Sequence, residues 1–364
     1  MGVAGRVLLF LVGVFAVAGT IGSAVRTVVL PRAVASFITR RVFRTMRVFF
    51  NIRVGPRASY ETVDRVLAAY GPVSLLALLM TWLIILLAGY TAMFWANGVR
   101  PWRVAFSTSG SSLLTLGFEH PHDVPNTALA FSEAALGLFI LALLITYLPS
   151  IYSSFSRRET MVGMLEVRAG SPPSAVEMIE RYSLIGFRGG LEELWPRWES
   201  WFIELEETHT SLPVLVFFRS PVPQQSWITA AGTILDAASI VSSTLEGERQ
   251  PDAELCIRAG YIALRRIGGY LRVPYNPDPK PDDPISIDRH EWEQVCDRLE
   301  QAGVPIKSDR DQAWRDFAGW RVNYDDVLLG LALLTAAPVA MWSSDRSPSA
   351  RSALALTRRK PFRK

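Results

Sequence analysis

The sequence predicts a mostly α-helical membrane protein with a re-entrant pore loop near its middle and an all-α cytosolic domain. Three observations carry this. Apolar runs of spanning length, where crossing takes about 20 residues, lie at Val7–Val25, Ser74–Trp95 and Ala128–Tyr147. Between the last two sits Pro101–Asp123, PWRVAFSTSGSSLLTLGFEHPHD, too polar to span a bilayer and too apolar for an ordinary surface loop. From Glu159 onward the patterns are helical with charges throughout, as in a soluble domain.

Taken in order, Val7–Val25 is read as an uncleaved first span; the competing reading is a secretory signal, with Arg6 ahead of it. Ala33–Ile52 interleaves Ile38, Val42, Phe43, Met46 and Phe50 with Arg40, Arg41, Arg44 and Arg47 at helical spacing. Such a basic amphipathic helix lies in a membrane interface or packs on the protein's own cytosolic domain, and both readings stay open. Gly55-Pro56 breaks it, and Ser59, Thr62 and Asp64 open a linker helix carrying Arg65. Trp82, Tyr90 and Trp95 lie in the second span, the last two toward its far end, as in an aromatic belt. The third span continues past Pro149 to Phe155, and Arg157 and Arg158 mark its cytoplasmic end.

Charge placement says more than the net charge of +4. No acidic residue occurs between Met1 and Tyr60, whereas Arg26, Arg32, Arg40, Arg41, Arg44, Arg47, Arg53 and Arg57 all do. One-sign clustering beside apolar spans points to anionic lipid rather than nucleic acid. Cys256 and Cys296 form no metal-ligand spacing and read as buried free thiols.

In the soluble part, Pro172-Pro173 precedes a helix through Val176, Ile179 and Tyr182, and Leu191–Glu207 carries Trp195, Trp198 and Trp201 as core. Pro213–Phe218 reads as extended and, within Pro213–Pro223, as buried. Trp227–Leu245 and Ala253–Leu271 are amphipathic helices, and Val273–Ile287 is a Pro- and Asp-rich loop. Asp288-x-x-Glu291 has the form of a capping box opening a helix to Leu299, and Asp309–Trp320 is a further helix. Val327–Trp342 is too short to cross and contains Gly330 and Pro338, so it reads as a core helix. The basic tail with Arg358, Arg359 and Lys360 has a disordered composition.

Non-helical backbone at membrane depth is tolerated only where protein buries it or it lines a water-filled path. A short helix over Trp102–Leu113 followed by Thr115-Leu116-Gly117-Phe118, held between two spans, therefore reads as a loop beside an ion pathway. The stretch from about Pro72 to Arg158 resembles the pore region of two-transmembrane potassium channels, the core shared by bacterial, inward-rectifier and two-pore-domain members. That family places a short pore helix before a filter of the pattern Thr-Val/Ile-Gly-Tyr/Phe-Gly. This chain has Thr115-Leu116-Gly117-Phe118-Glu119.

The resemblance implies that Thr115, Leu116, Gly117 and Phe118 supply ion-facing carbonyls in place of a potassium ion's hydration shell. The Thr115 hydroxyl would add a ligand and Phe118 would pack against the pore helix. Gly117 accepts positive φ without steric cost. Leu114 stands where many members carry a first threonine, and Glu119 replaces the second glycine. A non-glycine residue in a left-handed conformation costs about 1–2 kcal/mol, so the outermost carbonyl is expected to turn elsewhere. A ring of Glu119 carboxylates would instead concentrate cations. Potassium is the expected permeant ion, non-selective cation flow is the alternative, and no cofactor is expected.

Other residues carry two readings each. Glu119 forms the ring or pairs with Arg103 or His120. Glu133, in the third span, braces the filter through a pore-helix hydroxyl or Arg103, or sits at the interface. Gly137 is a hinge or a close-packing site, and Pro149 a kink. Thr146 and Tyr147 fall near an inner gate if the family register carries over. His120 and His122 sense pH or are solvated loop residues. His209-Thr210-Ser211 is a helix-ending turn rather than a catalytic group.

The resulting organisation is a span and basic helix over 1–58, a pore domain over 59–158, a cytosolic helical domain over 159–345 and a basic tail over 346–364. With one pore loop per chain and no internal repeat, a closed pore requires a homotetramer. The expected setting is the plasma membrane, multi-pass, with the C-terminal part cytoplasmic and anionic lipid as a partner. No catalytic constellation or nucleotide motif is present in the sequence, so an enzyme is not expected. The alternative is a non-conducting, membrane-anchored helical interaction or regulatory module, which the Glu119 substitution favours.

Overall fold

The computed structural model describes residues 2–30, 36–54, 60–186 and 189–346. It is mostly helical, 75% helix, and among the described residues it has no strand, only an isolated bridge between Leu245 and Ile306. The expected breaks at Gly55-Pro56 and Ser59 and the basic tail beyond Arg346 lie outside the described residues.

The chain divides into two compact units. The first holds helices α1 (Val3–Val28), α2 (Phe37–Arg53), α4 (Tyr70–Ala96), α5 (Trp102–Leu113) and the first part of α6 (Val124–Ala169). The second holds α3 (Tyr60–Ala68), the rest of α6 from Ser154, and α7–α14. Residues 60–68, which the sequence groups with the helices that follow, fall in the second unit, where the side chain of Asp64 pairs with Arg219.

Three helical stretches, Val3–Val28, Tyr60–Ala96 and Val124–Ala169, are long and apolar enough to cross a membrane. Helices α1 and α4 approach closely at two glycines. A Cβ on Gly13 would lie 2.6 Å from Gly89 O, so only glycine permits the contact. A polar seam ties the end of α1 to α4 and to the start of α2: Trp82 Nε1–H donates to Ser23 Oγ (3.0 Å), Ser23 meets Ser36 (2.6 Å) and Thr27 meets Thr39 (2.8 Å). Ser36 also caps α2 by accepting from Thr39 N. Within the first unit, α2 turns its apolar residues toward α1 and α4. Ile38, Val42 and Phe43 pack on the α1–α4 cluster, and Tyr70 OH donates to Phe43 O (3.1 Å). Arg40, Arg41 and Arg44 remain exposed.

The second unit is built on α7 (Ala175–Leu184), α8 (Gly189–Glu192), α9 (Leu194–Ser211), α10 (Trp227–Ser243), α11 (Pro251–Leu271), α12 (Arg289–Gln301), α13 (Arg310–Arg321) and α14 (Asp325–Thr335). Helix α10 is buried along nearly its whole length, which is why its sequence is apolar all round. Trp195, Trp198, Trp201 and Phe202 of α9 lie in this core. The Asp288–Glu291 capping box forms as the spacing predicts. Cys256 and Cys296 are free and buried, and burial pushes the Cys296 thiol up to about 12.

Two expectations are corrected. Pro213–Phe217 is a 3-10 helix rather than extended, although Val214, Leu215 and Val216 are buried as expected. The apolar stretch from Val327 does enter the core, but its helix stops at Thr335. Ala336 takes a left-handed conformation there, and Pro338 follows. Behind it lies a buried ionic network. Arg321 contacts Asp236 (2.5 Å), Asp325 (2.8 Å) and Trp342 O (2.5 Å), and Tyr324 OH donates to Asp236 (2.9 Å).

Candidate functional site

The candidate site lies wholly in the first unit and is organised by α5. This short helix follows Pro101 and runs Trp102–Leu113, the limits the sequence suggested. Its Ala105, Thr108, Ser109, Ser111 and Leu113 are buried, so hydroxyls as well as methyl groups face the neighbouring helices. Thr108 Oγ1 and Ser112 Oγ satisfy themselves on carbonyls one turn back. Ser109 and Ser111 instead reach out of the helix, and both matter to the site.

Ser109 Oγ lies 2.6 Å from Glu133 Oε1 and 3.1 Å from Leu87 O. One hydroxyl carries one hydrogen. Both contacts are full hydrogen bonds together only if Glu133 donates a proton to Ser109 Oγ while Ser109 donates to Leu87 O. Glu133 is 0% exposed, and its Oε2 has no partner among the described residues. A lone buried carboxylate is expensive to hold in an apolar setting, which agrees with that proton count. Of the two partners named for Glu133 from the sequence, it meets the hydroxyl. Arg103 is exposed and forms no ion pair among the described residues.

Ser111 organises the exit from α5. The N–H of Leu116 donates to Ser111 O (2.8 Å) and that of Thr115 to Ser112 O (3.1 Å), and Thr115 has φ 54°. This is a Schellman cap with threonine where glycine is usual. Gly117 follows with φ 74°, and Glu119 N–H then donates to Ser111 Oγ (3.1 Å). Residues 115 and 117 thus take left-handed φ, with Leu116 between them outside that region. Only the Gly117 conformation was legible in the sequence.

The side chains of this segment are open. Leu116 is 59% and Phe118 64% exposed. The resemblance implied that Phe118 packs against the pore helix; within the chain it does not. The tie at this end is the backbone bond from Glu119 to Ser111, which leaves the ring outside. The Glu119 carboxylate forms no ion pair with Arg103 or His120 among the described residues. His120 and His122 meet edge to face, ring centres 5.2 Å apart. Asp123 caps α6 by accepting from Asn126 N (3.0 Å) and Nδ2 (2.9 Å). Those hydrogen bonds hold its carboxyl below the usual range.

Gly137 is the second contact between α5 and α6. A Cβ there would lie 2.6 Å from Leu113 O, the carbonyl that ends α5. Close packing is therefore what this glycine provides in the structure. Among the described residues Thr146 Oγ1 bonds within its own helix, to Ala142 O and Leu143 O, and Pro149 lies inside a helix that continues past it. The structure thus assembles Ser109, Ser111, Leu113, Glu133 and Gly137 behind residues 115–119, and it leaves Arg103, Thr146 and Pro149 apart from them. Ser109 and Ser111 were missed; their signal was the run of small hydroxyl residues, Ser107 to Ser112, in a helix flanked by apolar spans. Among the described residues no group of three or more His, Cys, Asp or Glu is placed to hold a metal.

The chain matches no family model, no curated protein and no solved structure.

Proposed function

We propose that the chain is a cation-channel subunit, with potassium the expected ion, in which four copies bring residues Thr115–Glu119 to a common axis. The observation that carries this reading is the conformation of those residues. Along an extended chain successive residues face opposite sides. Consecutive carbonyls can face one axis only if the chain departs from the extended form, and the left-handed φ at Thr115 and Gly117 is such a departure. Their open side chains are the surface that other copies would cover, and α5, anchored through Ser109 and Gly137, gives the segment a firm backing. The three spanning-length helices supply the membrane setting. The exposed arginines of α2 are the charges that the positive-inside tendency would favour on the cytoplasmic side, beside anionic lipid.

One observation favours a second reading, a non-conducting membrane module: Thr115 serves as a helix cap, a role that needs no ion. Purified protein in liposomes separates the two. The channel reading expects rubidium or potassium uptake, loss of uptake in Gly117→Ala, and a fourfold assembly in detergent. A monomer with no cation flux would leave the module reading standing.

A further inference from the structure

The second unit contains both places where the chain enters it from the spanning-length helices: α3, which leads directly into α4, and the end of α6. One short buried segment holds both. Arg158 of α6 is buried, and its guanidinium donates to Leu215 O (2.8 Å), Phe218 O (2.7 Å) and His209 Nε2 (3.1 Å). It also pairs with Glu159 (2.8 Å). His209 Nδ1–H donates to Leu205 O (2.9 Å), which fixes the tautomer and leaves Nε2 as the acceptor. Phe155 of α6 packs edge to face on Phe218, ring centres 5.7 Å apart.

One residue further on, Arg219 turns the other way. Its Nη1 donates to Asp64 of α3 and to Tyr60 OH (3.2 Å). Its Nη2 donates to Thr335 O (2.5 Å) and Ala336 O (2.8 Å), the unsatisfied carbonyls at the end of α14. Asp64 is itself buried. Leu215, Val216 and Phe218 are buried between these two arginine sites, so the segment is seated in the core and cannot shift alone.

We infer that residues 213–219 form a coupling clamp, which fixes the α3 and α6 entries to each other and to the end of α14. A rearrangement of the second unit then moves the roots of α4 and α6 together rather than one at a time. Two packed arrangements, not gradual flexing, are what such a buried polar joint supports. The clamp itself stands on geometry within the second unit. Its consequence for ion flow rests on the channel reading.

The test measures the α3–α6 spacing by pulsed electron spin resonance on full-length protein in liposomes. Spin labels go on Glu61→Cys and Thr160→Cys, both exposed positions. Labelled chains are diluted with unlabelled ones, so that only distances within a chain are read. Native Cys256 and Cys296 are buried and do not compete for label. The native protein is expected to give one narrow distance. Arg219→Ala should broaden that distribution by about twofold or more, because α3 is then held by fewer buried contacts. Asp64→Asn keeps the side-chain volume and should broaden it less. Should Arg219→Ala fail to fold by circular dichroism, Asp64→Asn decides alone. A distribution as narrow as the native one in the folded variants overturns the clamp. Cation uptake by the same liposomes is recorded in parallel: a clamp that loosens without any native flux rejects the channel reading and leaves the clamp intact.

Discussion

The two units solve the burial problem in opposite ways. The second unit does what a water-exposed domain does: tryptophans, leucines and isoleucines fill its centre, and its surface arginines pair with carboxylates such as Glu180, Glu206 and Glu254. The first unit turns apolar side chains outward, Leu8, Phe15, Ile84 and Phe131 among them, and collects serine, threonine and one glutamate between its helices. Where no apolar drive exists between helices, close glycine contacts and hydroxyl bonds do the joining. The Gly13–Gly89 crossing, the Ser23–Ser36–Trp82 seam and the Ser109–Glu133 pair are that chemistry. Burial of ionisable groups differs in the same sense. Arg321 in the second unit is compensated by Asp236 and Asp325, whereas Glu133 in the first, among the described residues, meets a hydroxyl and no cation.

The contrast is broken most strongly at Arg321. Arg321→Ala strands Asp236 and Asp325 in a dry core, and unfolding of the second unit should become easier by about 3–5 kcal/mol. Thermal melts followed by tryptophan fluorescence would read this, and an unchanged melt would mean that water reaches the network. Next comes a matched pair of surface changes. Ile84 is 63% and Leu255 49% exposed. Ile84→Arg should disfavour membrane insertion by about 2.5–3.5 kcal/mol, while Leu255→Arg should change stability by no more than about 0.5 kcal/mol. Equal tolerance at the two sites would remove the distinction between the units.

A finer change tests packing within the first unit. A Cβ at Gly137 would press on the backbone carbonyl of Leu113, so Gly137→Ala should lower stability in detergent by about 1–3 kcal/mol. A hinge role alone would leave stability intact. The smallest effect is pH-dependent and confined to the second unit. Burial, then the adjacent Arg158, holds His209 well below its usual 6.5. The neutral ring is favoured in the fold, so its contribution is full above 6.5 and is lost as pH falls below it. The limiting slope is about 1.4 kcal/mol per pH unit. His209→Gln should flatten the stability profile between roughly pH 6.5 and 5, before the carboxylates titrate. A profile unchanged by the substitution would show that His209 does not control it.

The sequence by itself determined the helices whose signals are local. The apolar runs, the limits of α5, the Asp288–Glu291 cap and the positive φ of Gly117 each depend on residues within a few positions of one another. Tertiary structure alone decided what depends on partners remote in the chain. It paired Ser109 with Glu133, Gly137 with Leu113 and Asp64 with Arg219, and buried Arg158 against His209. It also gave Thr115 a left-handed cap that its residue type disfavours. The reason is physical: a propensity acts along a turn or two of backbone, whereas the partner of a buried polar atom is chosen by which helices pack together.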